Sequence, residues 1–487
     1  MISFGQELLM GNLSLNTRTA LALSVAIPLA LISLVGPVCG QTASLEPLEA
    51  WVAPAIEQHW LVGGAVGLIT PQGQELAGFG SWAHDDARVP NGDTLFEIGS
   101  ISKVFTGLLL ADAVVRGELT LETEVARLLP SGIDLDVLGR PITLLDLTTH
   151  SSGLPRMPSN IRPSDPFSPY VDYDVTMLLA FMDEVEPVRA PEVSYEYSNL
   201  AVGLLGWLVA NNAGSDYETL LSERVFVPLG MTDTALSLDE RLAPRLAQAH
   251  DSDGQPSSPW PMDVLAGAGG IRSSARDMLR FARFALGQLE PVGSDTLTDA
   301  LALSMIPRRE VTGDPRMRMG LGWHVNVDRD AWWHNGQTGG YHAMLTVLPE
   351  DGVAVVGLSN TAGGVIEQVV NGLVSESMDW GPMTITLPDF AALDAAALDR
   401  LAGRYGHRLL GVLVVRREEL GLSAQLGPQQ ALRIWPESES RCAYRAVPAV
   451  LEFELSEEQT LASAVVLHQN GGEMNFERLG AEGDGEQ

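Results

Sequence analysis

The residues best suited to chemistry lie in the stretch Phe96-Glu97-Ile98-Gly99-Ser100-Ile101-Ser102-Lys103. Of the 30 basic side chains, Lys103 is the sole lysine, which leaves 30 − 1 = 29 arginines. Arginine keeps its proton at any working pH, whereas a lysine taken out of water can give its proton up. A lone lysine among arginines therefore suggests a task that needs a titratable amine, with compositional drift as the plain alternative. Ser100 stands three residues earlier, where a helix is expected to begin, so the two side chains share one helical face. A neutral Lys103 amine placed there can take the Ser100 hydroxyl proton and turn a weak alcohol into a nucleophile. The positive end of the helix favours negative charge developing at Ser100 and opposes protonation of the amine. A capping serine followed by a solvated lysine has the same spacing, so the pair needs support from elsewhere in the chain.

Two further stretches offer it. In Tyr195-Glu196-Tyr197-Ser198-Asn199, a phenol and an amide stand just before an expected helix, where Tyr197 can shuttle a proton and Asn199 can bind a substrate carbonyl. Tyr195 competes with Tyr197 for the first role, and a core tyrosine beside a capping asparagine is the ordinary alternative. In Trp332-Trp333-His334-Asn335-Gly336-Gln337-Thr338-Gly339-Gly340, dense glycines beside a strand let a substrate backbone approach its edge. The Gln337 peptide N–H can join that of Ser100 as an oxyanion hole, and His334 can act as an electrostatic or proton-handling group. A tight turn with an exposed histidine is the alternative there.

These stretches must be held by a sizeable fold. Apolar alternation predicts strands over Ala65–Ile69 and Gln74–Trp82, and a hairpin of Tyr341–Leu348 with Val353–Leu358. Helical spacing begins at Ile101 and ends near Gly117; further helices are expected over Leu200–Asn211 and Ala275–Leu286, the last capped by Ser274. Residues 150–192 read as a long irregular excursion. Strands at both ends with helices between suggest α+β, an antiparallel sheet flanked by helices, and not a doubly wound fold. Pro382–Ala396 reads as a linker with a short helix. Beyond it Leu410–Val415, Leu432–Trp435, Leu451–Leu455 and Ala464–Gln469 suggest a small β-barrel or sandwich.

With 62 acidic against 30 basic side chains, the formal charge of −32 repels nucleic acid and anionic lipid and excludes both as primary partners. Arg18, the apolar run Ala20–Val35 and the small residues Val38 and Gly40 read as an export signal cut before Gln41, which places the protein in the periplasm or outside the cell. An uncleaved signal is the one route to a membrane. Cleavage leaves Cys442 as the single cysteine and rules out an intrachain disulfide. His334 and His342 lie close in sequence without a carboxylate or thiol to complete a ligand set, so neither metal nor other cofactor is expected.

Taken together, Ser100-x-x-Lys103, Tyr197-x-Asn199 and His334-Asn335-Gly336 resemble the serine β-lactamase-related hydrolases: class C β-lactamases, D-alanyl-D-alanine carboxypeptidases and related esterases. Leu147-Thr148-Thr149-His150-Ser151-Ser152-Gly153-Leu154-Pro155, Pro228-Leu229-Gly230-Met231 and Gly269-Gly270-Ile271-Arg272-Ser273-Ser274 extend the likeness, which covers roughly residues 45–380. The resemblance implies a sheet flanked by helices plus a helical lobe, with Ser100 as nucleophile, Lys103 as base, Tyr197 as proton relay and Asn199 as binder of the substrate amide. It also implies hydrolysis of a small-molecule or peptide substrate. His334-Asn335-Gly336 replaces the usual K-T-G, and Arg156-Met157 stands where class C enzymes usually have a Gln. Both departures favour a peptidase, an esterase or a weak β-lactamase over a strong one. A catalytically idle penicillin-binding-like protein is the competing reading. The C-terminal part resembles an appended lipocalin-like domain. The expected domains are therefore a signal (1–40), a catalytic domain (41–385), a linker (386–396), a β-domain (397–480) and a polar tail (481–487).

Overall fold

The computed structural model describes residues 43–133, 140–165, 167–187, 189–408, 410–419, 421–427, 431–447, 449–455, 461–469 and 472–480. The export signal and the polar tail lie outside these residues.

Ten strands belong to the first domain. They are β1 (Gly63–Thr70), β2 (Gly73–Gly80), β3 (Leu95–Glu97), β4 (Arg272–Ser274), β5 (Arg309–Val311), β6 (Asp314–Met319), β7 (His324–Asn326), β8 (Ala331–Gln337), β9 (His342–Leu348) and β10 (Val353–Ser359). Eight of them form one antiparallel sheet in the order β2-β1-β10-β9-β8-β7-β6-β5, while β3 and β4 pair separately. The strands β1, β9 and β10 are almost wholly buried. The two-residue period explains why. Ala65, Ile69, Leu345, Val347, Val356 and Leu358 enter one core, whereas Val66, Leu68, Met344, Leu348, Val353 and Val355 enter another on the opposite face. A sheet covered on both faces needs such continuous apolar strands.

The first core contains the helix Ser102–Val115, of which every residue from Ser102 to Ala113 is buried. A helix buried on every side belongs inside a large core, which holds its N-terminus rigidly. The helix Asn199–Asn212 packs in the same core, and Ser198 caps it by accepting the Ala201 N–H at 3.0 Å. The expected Ser274 cap is present, accepting the Asp277 N–H at 3.2 Å. The excursion at residues 150–192 is less irregular than its composition suggests. It contains the helix Val175–Glu184, capped by Asp174 and burying Leu178, Phe181 and Met182. Its i, i+3, i+4 pattern is short and lies among prolines and aspartates that mask it.

From Gly403–His407 to Gly472–Arg478, eight antiparallel strands close into a barrel, its first strand pairing with its last at Tyr405 and Arg478. Tyr405, Leu413, Leu422, Ile434, Cys442, Leu451, Phe453, Val465 and Phe476 fill its interior. The helix Ala395–Leu401 adds Leu398 and Leu401 to that interior, so it packs with the barrel.

A distinct seam joins barrel and first domain. Trp60 stacks on Phe390 at 5.5 Å between centroids, and Phe390 on Trp435 at 5.2 Å. The Arg445 guanidinium lies 4.0 Å from the ring centroids of both Trp60 and Trp435. Trp435 Nε1 donates to Asp253 Oδ1 at 2.9 Å.

Candidate active site

The chain passes from β3 through Ile98 into a 3₁₀ turn, Gly99–Ile101, and only then into the helix Ser102–Val115. Ser100 therefore sits on the tight turn, half-exposed, while Lys103 lies in the first helical turn and is fully buried. The turn needs glycine twice. Gly99 has φ +49°, and a side chain on Gly336 of β8 would fall 2.0 Å from the Ile98 carbonyl oxygen and 2.7 Å from Ser100 N. A side chain on Gly99 would in turn fall 2.7 Å from Gln337 N. The Ser100 and Gln337 amides thus flank one close approach of strand and turn, which only residues without Cβ allow.

Lys103 Nζ has three polar neighbours: Ser100 Oγ at 3.0 Å, Asn199 Oδ1 at 2.8 Å and the Ala268 carbonyl oxygen at 2.6 Å. The last two can only accept. A neutral amine gives them its two N–H bonds, and its lone pair then faces the Ser100 hydroxyl. Burial pushes the Lys103 amine well below its ordinary value, and the Arg156 charge pushes it further in the same direction. Such a pair can move a proton from oxygen to nitrogen.

Tyr197 is half-buried beside the pair, with Lys103 Nζ 4.8 Å from its ring centroid. Desolvation raises its phenol well above the usual tyrosine value, and contact with the Ser100 side chain opposes that rise. The phenol is therefore protonated at neutral pH, as a group that passes a proton on must be. Tyr195, the competing phenol, lies instead with its hydroxyl 3.3 Å from His324 Nε2. Asn199 begins the Asn199–Asn212 helix; its Nδ2 lies 3.5 Å from the Met157 sulfur, and its side chain also contacts the Tyr170 phenol. Sulfur is a weak acceptor, so a substrate carbonyl can displace it from that amide.

The segment carrying Tyr197 is pinned by His150. Its carbonyl accepts the Glu196 N–H at 2.8 Å, and its Nδ1 accepts the Ser198 N–H at 3.1 Å. His150 is buried with φ +56°, and its ring lies 4.4 Å from that of Tyr197. A left-handed histidine is costly and persists only where its surroundings impose it.

On β8, His334 is wholly buried, its ring 6.3 Å from Tyr197 and 4.8 Å from His324. Its Nδ1 lies 2.5 Å from the Asn335 carbonyl oxygen, which fixes the proton on that nitrogen. Desolvation pushes His334 well below its ordinary value and brings His324 down to about 4. His334 is therefore uncharged at neutral pH, more completely than its residue type alone suggests. The Gln337 side chain points away from the nucleophile and donates from Nε2 to the Ala446 carbonyl oxygen of the barrel at 2.8 Å.

The structure thus gathers Ser100, Lys103, Tyr197, Asn199, His334, Gly336 and Gln337 in one neighbourhood. Sequence reasoning gave no part to His150, His324 or the Ala268 carbonyl. His150 and the Gly269-Gly270 step beside Ala268 both lie in stretches that carry the family likeness, and that was the available signal.

A family model described as Beta-lactamase matches residues 48–376. The chain belongs to the β-lactamase family. Among its relatives, a β-lactamase of Escherichia coli K12 is 30% identical over 347 residues, covering 63% of this chain and 86% of that protein. Penicillin-binding protein 4 of Amycolatopsis lactamdurans is 29% identical over 303 residues, covering 58% and 76%. Among solved structures, a β-lactamase from Sulfitobacter sp. EE-36 is 25% identical with a TM-score of 0.58, covering 68% of this chain and 97% of that one. A class C β-lactamase from Rhodobacter sphaeroides shares the fold with the same TM-score at 24% identity, covering 68% and 98%. The family match ends at residue 376, so the barrel lies beyond it.

Proposed function

We propose that this β-lactamase-family chain is an exported serine hydrolase that opens an ester or amide through an acyl-enzyme on Ser100. The observation that carries the reading is the bonding of Lys103: two obligate acceptors occupy the amine hydrogens and leave the lone pair to Ser100. Lys103 takes the hydroxyl proton as Ser100 Oγ bonds to the substrate carbonyl carbon. The N–H groups of Ser100 and Gln337 receive the negative oxygen. Collapse of that intermediate breaks the bond to the leaving group, which takes a proton from Lys103 through the Tyr197 phenol. Water then releases the acyl group by the same steps, with its proton returning through Lys103 to Ser100 Oγ. Asn199 steadies the substrate amide.

Esters and amides that need no carboxylate held on the β8 side suit the site better than penicillins do. The uncharged His334 offers no cation to hold a carboxylate on the β8 side. A fluorophosphonate or fluorescent penicillin should label the protein at Ser100, and Ser100→Ala should lower labelling and turnover by more than about a thousandfold. Equal labelling of the variant would sink the reading. A wild-type protein that binds cell-wall peptide without labelling or turnover would make it an idle binder instead.

A further inference from the structure

The groups closest to Ser100 that can carry positive charge are Lys103, His150, His324 and His334. All four are buried; burial pushes the three histidines below the neutral range and Lys103 well below its ordinary value. A permanent positive charge beside Ser100 must therefore come from elsewhere. Arg156 supplies it: the residue is exposed, and its guanidinium lies 5.1 Å from the Tyr197 ring centroid. Its backbone is fixed, because its carbonyl accepts the N–H groups of Asn199 at 3.0 Å and Leu200 at 3.2 Å.

Other arginines on nearby loops are paired. Arg140 binds Asp146 at 2.9 Å, Arg189 binds Glu196, and Arg309 binds Glu192. Arg156 has no carboxylate at ion-pair distance among the described residues, in a chain with twice as many acidic as basic side chains. We propose that Arg156 anchors a carboxylate carried by the substrate next to the scissile ester or amide, so that acidic acyl compounds are the preferred substrates. This rests on the acyl-enzyme reading above. It places the charged recognition on the helical side of the cleft, beside Asn199, and not on β8.

A flat guanidinium takes a carboxylate with two parallel hydrogen bonds, which fixes orientation as well as charge. Pairing has a second effect. In the free enzyme the Arg156 charge helps to keep Lys103 unprotonated. A bound carboxylate cancels that field and makes the amine a stronger base as it takes the Ser100 proton.

Matched p-nitrophenyl esters test this: the monoester of glutaric acid against the pentanoate, which has the same chain length without the charge. The measured quantity is the ratio of their kcat/KM values. Arg156→Gln lowers the glutarate preference by about 10- to 100-fold, the worth of one charge-assisted pair. Arg156→Lys keeps much of it, and Arg156→Glu reverses it. In the wild type the acid limb of kcat lies at higher pH for the glutarate ester than for the pentanoate, and Arg156→Gln removes that offset. A ratio unchanged within about twofold in all three variants overturns the proposal, since a charged pair is worth more than that. An equal loss on both esters also overturns it and makes Arg156 a support of the Tyr197 segment. If neither ester shows Ser100-dependent turnover, the acyl-enzyme reading fails by itself. The inference is then decided by glutarate-ester binding to Ser100→Ala, which Arg156→Gln must weaken by a similar factor for it to stand.

Discussion

Lys103 and Arg445 are both withdrawn from water, and they are treated in opposite ways. Lys103 is sealed in the core of the first domain among a hydroxyl, an amide oxygen and a carbonyl, with no carboxylate partner among the described residues. Arg445 is half-buried in the seam with the barrel, between the faces of Trp60 and Trp435. Burial pushes both downward. The lysine goes well below its ordinary value, while the arginine goes only to about 10 and stays charged at neutral pH. An ammonium group is a small, strongly hydrated charge that loses its proton when desolvated. A guanidinium spreads its charge over a plane and is compensated by aromatic faces. The one lysine stands where burial opposes its charge, and Arg445 stands where charge persists.

Exchanging the two chemistries breaks the comparison. Lys103→Arg carries the largest expected effect. It puts a permanent charge where the amine can be neutral and removes the base, so acylation of an ester should fall by at least about a thousandfold. An activity loss below tenfold would mean that Lys103 is no base. Arg445→Lys should act on stability instead. The lost stacking costs about 1–2 kcal/mol, seen as a lower denaturant midpoint, with kcat/KM changed only slightly. An unchanged midpoint would show that the rings, and not the cation, hold the seam.

The two regions also differ in how far their residues announced them. The apolar alternation of β9 and β10, the helix after Leu200 and the Ser274 cap were legible because each depends on neighbours a few residues apart. Ser100 and Lys103 were legible for the same reason. The Ala268 carbonyl reaches Lys103 across 165 positions in sequence, and no local pattern encodes a backbone oxygen arriving from so far. The seam is hidden likewise: Trp60, Phe390, Trp435 and Arg445 come from four separate stretches. In the barrel the strands around Leu432 and Ala464 stood out. The strand Gly421–Leu426, with its small residues and half-buried faces, did not. Closure of the barrel depends on pairing the first strand with the last, which only the folded chain reveals. The charge of His334 was legible only in part. The residue type predicts partial protonation near neutrality, whereas complete burial beside His324 and Lys103 removes it.

The protonation state of Lys103 decides whether it can act as the base, and a sequence with one lysine makes that state unusually accessible. Protein grown with lysine labelled with ¹³C at the ε-carbon yields a single side-chain resonance, because there is one lysine to label. Its shift, followed against pH in the free enzyme, should report an amine that is neutral at pH values where free lysine is charged, with a midpoint well below the ordinary 10.5. Since the base form exists above that midpoint, acylation should fail as pH drops through it, so the acid limb of kcat/KM should coincide with the titration. A resonance that stays in the ammonium position up to about pH 10, with full activity below it, would contradict the account.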